Sequence, residues 1–248
     1  MAELRLSFGN AAADYERGRP GWPDKVAEVG GLPAEAHVLD LGAGTGKLTQ
    51  VLARRFARVT AVEPDASMLA VLRQVTDCYL AIEGAAEAIP LTDDSVDGVF
   101  CAEAFHWFDW PVALREIARV LRPRGVLVLC FNLPDGEAYI PLPDEAREIV
   151  ARYRRPGVEP GGNILAAGAW REPFDSSDSV FEPLRRESFR HVLVQNADAV
   201  VARTLSTSIF ASLEPSERQA LSEELRAIVA EGVYETPLCA EVWWTRLR

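Results

Sequence analysis

From His37 to Asn132, short apolar runs alternate with longer stretches of helical periodicity, and this alternation restricts the fold of the chain more than any other feature. The runs read HVLDL, RVTAVE, CYLAIEG, VDGVFC and GVLVLCFN. Strands that are apolar along their whole length are buried on both faces, so the pattern predicts a parallel sheet with helices on either side. The intervening segments support this. Lys47 to Phe56 sets Leu48, Val51, Leu52 and Phe56 on one helical face. Asp65 or Ser67 can begin the next helix, whose apolar side carries Met68, Leu69 and Leu72. Pro111 suits a first helical turn, and the helix after it meets a stop at Arg122-Pro123-Arg124-Gly125.

Around this core, residues 37–132, the texture changes. Residues 1–36 form a polar lead with Pro20, Pro23 and Pro33 and a short helix candidate between the last two. Residues 133–173 hold six of the 16 prolines and five glycines, and read as an insertion that caps the substrate side of the sheet. A helix from Asp144 to Arg154 fits inside it, with acids early and arginines late as the helix dipole favours. Residues 174–248 complete the sheet. They offer a strand near Ser188 to Val194, helices near 197–205 and 215–231 with Gly232 as the stop, and a last strand near Leu238 to Leu247.

Charge and composition narrow the partners. Lys plus Arg total 26 against 37 Asp plus Glu, a net charge of -11. Such a surface repels phosphate backbones, so nucleic acid is not the expected partner. No apolar run reaches the roughly 18 residues a membrane span needs, and the first ten residues do not read as a secretory signal. Cys78, Cys101, Cys130 and Cys239 are spaced by 23, 29 and 109 residues, with no CxxC. They read as buried thiols of a reducing, cytoplasmic compartment. His37, His106 and His191 are isolated, so no zinc ligand set is expected.

The chemistry concentrates in Val38-Leu39-Asp40-Leu41-Gly42-Ala43-Gly44-Thr45-Gly46-Lys47, at the first strand-to-helix turn. Glycines there allow a tight turn and a close backbone approach to a ligand. A dinucleotide fingerprint wants Gly or Ala where Lys47 stands. A phosphate-binding loop wants Gly where Leu41 stands and Ser or Thr where Leu48 stands. Asp40, two residues before Gly42, would repel a pyrophosphate and attract a cation. S-adenosylmethionine carries an ammonium and a sulfonium and no phosphate. Asp40 could equally serve as a turn-capping carboxylate. Glu63, 21 residues after Gly42 at the end of the second run, can accept both ribose hydroxyls of an adenosine, which S-adenosylmethionine and NAD share.

Together these residues resemble the class I S-adenosylmethionine-dependent methyltransferases. Asp40, Gly42, Ala43 and Gly44 match the first motif. Glu63, followed by Pro64 and Met68, matches the acid after strand two. Gly84-Ala85-Ala86-Glu87-Ala88-Ile89-Pro90 resembles the adenine-side loop, and Ser95-Val96-Asp97-Gly98-Val99 the fourth strand. The resemblance implies a Rossmann-like α/β fold with a seven-stranded, mostly parallel sheet, the last strand antiparallel between strands five and six. It implies S-adenosyl-L-methionine held by Tyr15, Arg19, Asp40, Gly42, Ala43, Gly44, Glu63, Pro64, Met68, Ala85, Ala86 and Glu103.

A narrower likeness lies outside that core. Tyr15-Glu16-Arg17-Gly18-Arg19-Pro20-Gly21-Trp22-Pro23 and Ala104-Phe105-His106-Trp107-Phe108-Asp109 look like segments of a subgroup similar to trans-aconitate methyltransferases, which esterify small carboxylic acids. This chain departs from the subgroup at Glu103, where Gln is usual, and at Ala85, where Asp, Ser or Thr is common. The implied activity is an enzyme that methylates a small-molecule acceptor, a carboxylic acid being one class. The alternatives are a nicotinamide-dependent oxidoreductase and a non-catalytic cofactor-binding protein of the same fold. Tyr15 and Arg19 could close over the methionine end of the cofactor, or pack on the sheet edge. His106 is the candidate catalytic residue, as a base or as an orienter of a substrate oxygen, although a histidine between Phe105 and Trp107 can also be a packed one. Trp107, Phe108 and Trp110 either wall an apolar pocket or pack in the core. Arg152, Arg154 and Arg155 bind a carboxylate or form a solvated helix end. A carboxylate acceptor is already ionised at neutral pH and needs no base.

Overall fold

A computed structural model describes residues 12–136, 140–153 and 168–248. Helix α1 is Ala12–Gly18, followed by a 3-10 turn at Asp24–Glu28, where the short helix between Pro23 and Pro33 was expected. The core then runs β1 His37–Leu41, α2 Lys47–Arg55, β2 Arg58–Glu63, α3 Ala66–Val75, β3 Leu80–Glu83, β4 Val96–Ala102, α4 Trp110–Val120 and β5 Leu121–Pro134. Beyond it lie α5 Asp144–Ala151, α6 Glu172–Asp175, β6 Arg185–Gln195, α7 Ala197–Leu205, α8 Ser208–Ala211, α9 Pro215–Ile228 and β7 Tyr234–Arg246.

The sheet has seven strands in the order β3-β2-β1-β4-β5-β7-β6. The first five are parallel, and β7 runs antiparallel between β5 and β6. This is the Rossmann-like arrangement that the resemblance implied, with the parallel core that the alternation predicted. β1 has β2 on one side and β4 on the other, so the strand order reverses there. Ligands of open α/β sheets bind in the crevice at the carboxyl ends of such a reversal. Here that crevice lies between the residues after Leu41 and those after Ala102.

Local chemistry sets the helix ends. The Asp65 carboxylate caps α3 by accepting from the Ser67 and Met68 N–H groups, which settles the choice between Asp65 and Ser67. Asp109 caps α4, with proline in its first turn. Buried apolar side chains fill both faces of the sheet. Leu39, Val99, Phe105, Ile117 and Phe131 lie in one cluster, and Val38, Leu52, Phe56, Phe100 and Val128 in the other. A third cluster joins α5 to α7 and α9 through Ala146, Ile149, Val201, Leu221 and Leu225.

Several boundaries move. β6 begins at Arg185 and β7 at Tyr234, because pairing of Arg185 with Trp244 and of Gln195 with Tyr234 extends both strands beyond their apolar stretches. Helix α9 ends at Ile228, with Val229 already extended, so Gly232 is not its stop. Helix α5 ends at Ala151, and Arg154 lies outside the described residues. Two of the four cysteines, Cys101 and Cys130, are buried; Cys78 and Cys239 are half-buried, and all four are free thiols.

Candidate active site

The loop after β1 is built on positive φ. Gly42, Gly44 and Gly46 have φ of 71°, 57° and 92°, a backbone that side chains rarely adopt. Gly42 is also hemmed in: a Cβ there would lie 2.6 Å from the Ala104 Cβ. Among the described residues, a Cβ at Gly44 would meet only the Tyr15 ring edge, at 3.9 Å, so these leave the loop open above that residue. The Gly42 and Ala43 N–H groups donate to the Val62 carbonyl, which ties the loop to the end of β2. The Ala43 methyl packs with Ala61 and Leu72.

Two carboxylates flank this loop. Asp40 is fully buried, and its Oδ2 accepts from the Thr49 hydroxyl at 2.6 Å. Its Oδ1 is buried and has no hydrogen-bond partner among the described residues. Burial pushes the Asp40 carboxyl up to about 7, the charge of Glu63 adds to that, and the bonds from Thr49 oppose it. Glu63 accepts from the Gly44 N–H at 2.8 Å and from the Asp65 N–H at 3.0 Å. It thereby links the glycine loop to the start of α3. Pro64 is half-buried, and Met68, in the first turn of α3, is buried. The Gly84 N–H donates to the Glu63 carbonyl at 3.2 Å, which brings Ala85 and Ala86 beside the same strand ends. The Ala86 methyl turns into the core.

The lead lies over the loop. Lys47 Nζ bonds Glu16 Oε1 at 2.8 Å, so the lysine that breaks the dinucleotide fingerprint is engaged by the lead. Arg19 lies over the Tyr15 ring, 5.2 Å from its centroid. It donates from Nε and Nη2 to the Oγ and carbonyl of Ser206, at 2.9 Å each. Its charge reaches both Glu103 and His106.

Those two residues follow β4. Glu103 is half-buried at φ 52° and accepts from the Asn132 N–H at 2.6 Å. Burial pushes its carboxyl up to about 7, against the pull of Asn132 and Arg19. His106 is 9% exposed, and its Nδ1 has no partner among the described residues. Burial and Arg19 push it down to about 4, which keeps the ring neutral. Trp110 stacks on Phe105 and Phe108 meets the same ring edge-on, so both pack against the core. Arg152 pairs with Glu224 at 3.4 Å on a solvated helix end; Arg154 and Arg155 lie outside the described residues.

The structure therefore brings Tyr15, Arg19, Asp40, Gly42, Ala43, Gly44, Glu63, Glu103 and His106 to one crevice, with Pro64, Met68, Ala85 and Ala86 along its β2–β3 side. Sequence reasoning missed Asn132, Thr49 and Ser206. Asn132 also donates from Nδ2 to the Gly21 carbonyl at 3.2 Å and bonds His191 Nε2 through Oδ1 at 2.8 Å. The available signal for it was a polar residue closing an apolar run.

This crevice lies at the carboxyl ends of a parallel sheet, where open α/β folds bind their ligands. Residues 39–129 match the Methyltransferase domain family. An uncharacterized methyltransferase of Mycobacterium tuberculosis (strain ATCC 25618 / H37Rv) is 52% identical over 134 residues, 54% of this chain and 55% of the relative. An uncharacterized methyltransferase-like protein of Schizosaccharomyces pombe is 39% identical over 154 residues, 60% of this chain and 59% of the relative. The chain thus matches little more than half the length of these curated relatives. In fold it is similar to a SAM-dependent methyltransferase of Thermotoga maritima, with a TM-score of 0.51 at 18% identity over 100% of both chains.

Proposed function

We propose that the protein binds S-adenosylmethionine and transfers its methyl group to a small-molecule acceptor that carries a carboxylic acid. One observation carries the cofactor reading: the buried, unpartnered Asp40 Oδ1 stands beside a glycine loop that is open above Gly44 and flanked by a second acid, Glu63. Two carboxylates suit a cationic, phosphate-free nucleoside and repel a pyrophosphate. The residues present fit that group. Asp40 would meet its ammonium, Glu63 its ribose hydroxyls, and Tyr15 would cover the loop. Bound there, the cofactor supplies an electrophilic methyl carbon on sulfur.

The chain's own residues supply position. The crevice walls hold the acceptor in line and exclude water. Arg19 keeps guanidinium donors beyond those on Ser206 and suits a carboxylate handle on the acceptor. His106, held neutral, orients the acceptor through its unpaired Nδ1. A cytoplasmic setting is consistent with four free thiols. Calorimetry tests the reading: S-adenosylhomocysteine should bind with a Kd on the order of micromolar, and NAD should not bind. Saturable NAD binding without S-adenosylhomocysteine binding would favour the oxidoreductase alternative.

A further inference from the structure

We propose that Glu103 takes a proton from the methyl acceptor, so that the nucleophile is an O–H or N–H group and the acceptor's carboxylate is only a handle. This rests on the methyltransferase reading above.

The geometry begins with the backbone. Glu103 is one of three described non-glycine residues at positive φ, and it sits directly after β4 at the reversal of strand order. Such a conformation is unfavourable for a residue of this kind, and sites where it persists are often functional. Its N–H donates to the Cys130 carbonyl at 3.0 Å while its Oε1 accepts from the Asn132 N–H at 2.6 Å. These contacts pin the residue to the end of β5, one through its backbone N–H and the other through a single carboxylate oxygen. Asn132 is itself fixed from both sides, by the Gly21 carbonyl and by His191.

The groups facing Glu103 are the Arg19 guanidinium from the lead and the Cys130 thiol from β5. Burial keeps that thiol neutral. Three residues further on, the His106 Nδ1 is buried without a partner among the described residues, in a side chain that is 9% exposed. An unsatisfied buried polar atom of this kind calls for a water, an ion or a ligand atom to complete its bonding.

The two groups divide the work. A ring held down near 4 cannot carry a proton at neutral pH, whereas a carboxyl raised to about 7 can both take one and release it. The acceptor heteroatom forms its bond to the methyl carbon as the carbon–sulfur bond breaks, and that electron pair stays on sulfur. The sulfonium charge is cancelled, the acceptor's proton moves to the Glu103 carboxylate, and water later removes it. A carboxylate nucleophile, already ionised, would leave Glu103 with nothing to accept.

The test uses Glu103→Gln, which keeps the size and the bond to Asn132 but cannot take the proton. In protein carrying carbon-13 at glutamate carboxyls, with S-adenosylhomocysteine bound, one carboxyl should titrate near neutrality and be missing from the variant. If the Glu103 signal titrates in the ordinary carboxylate range, the proposal fails whatever the enzyme turns over. With hydroxybenzoates as probes, the variant should lose about a hundredfold in kcat and the acid limb of the pH profile, with S-adenosylhomocysteine affinity unchanged. Methylation of hydroxyl-free benzoates at a rate indifferent to the substitution, or loss of S-adenosylhomocysteine affinity without loss of kcat, would also overturn it. Failure of the unaltered protein to bind S-adenosylhomocysteine would instead bring down the cofactor reading.

Discussion

The middle of the sheet and its antiparallel edge treat polar groups in opposite ways. In the parallel half, β1 is buried at every residue, and the polar side chains at its carboxyl end are kept from water. In the antiparallel half, β6 is the edge strand, and its residues from Arg185 to Ser188 are all exposed. Polar groups there answer one another. Arg186 pairs with Glu241 at 2.6 Å, the Trp243 Nε1–H donates to the same carboxylate at 2.7 Å, and the Trp244 Nε1–H donates to Glu187 at 3.1 Å. Arg185 and Arg186 lie over the Trp244 and Trp243 rings. Asp40 Oδ1 and His106 Nδ1 have no such answer among the described residues. The buried interior beside β1 and β4 leaves bonding capacity unused there, and the edge strand uses its own on the fold.

Substitutions should separate the halves sharply. Gly42→Val places a side chain 2.6 Å from Ala104 on a backbone at φ 71°. It should destabilise the protein by roughly 3 kcal/mol or more, read as the urea midpoint; an unshifted midpoint would mean the loop is not as constrained as described. Glu63→Ala removes the acceptor for the Gly44 and Asp65 N–H groups as well as the proposed ribose contact. Affinity for S-adenosylhomocysteine should fall by about a hundredfold, since bonds to a charged group are each worth about 1.5–3 kcal/mol.

Asp40→Asn should cost about tenfold in the same affinity and should change stability in a pH-dependent way. The Asp40 carboxyl is raised from its ordinary range to about 7 in the folded protein. The stability of the protonated form is therefore fully present below about pH 4 and is lost as pH rises through about 7. The amide imitates the protonated acid, so the variant should gain in Tm over the native protein at pH 8 and not at pH 4. A constant difference across that range would contradict the burial argument. Smallest of all, Arg186→Ala on the edge strand should cost under about 1 kcal/mol and leave cofactor affinity untouched. A large affinity loss there would erase the distinction between the halves.

The same contrast explains what was legible in the sequence. β1, β2, β4 and β5 are apolar runs because both their faces are covered, so they can be read locally. Arg185-Arg186-Glu187 carries no such mark; it is a strand because β7 pairs with it. Asp40, Gly42, Gly44 and Glu63 were legible because a turn and the strand ends around it have fixed spacing. Asn132, Thr49 and Ser206 were not, because their part comes from neighbours: Asn132 meets Gly21 111 positions away, and Ser206 holds Arg19 across 187. His106 was legible as a candidate, but its neutrality depends on burial and on Arg19, which spacing does not convey.

Helix α1 crosses α7 at touching distance. A Cβ added to Gly18 would lie 2.1 Å from the backbone nitrogen of Arg203, and Gln195 Nε2 donates to the Gly18 carbonyl at 2.9 Å. Asp14 pairs with Arg218 on α9, and Arg19 with Ser206 just past α7. With backbones in contact there is no room for one helix to slide on the other, and the bonds at both ends of α1 resist its lifting alone. The lead is thus fastened to the C-terminal helices as one layer, and Tyr15 and Arg19 keep their places over the glycine loop through α7 and α9 as well as through the loop itself.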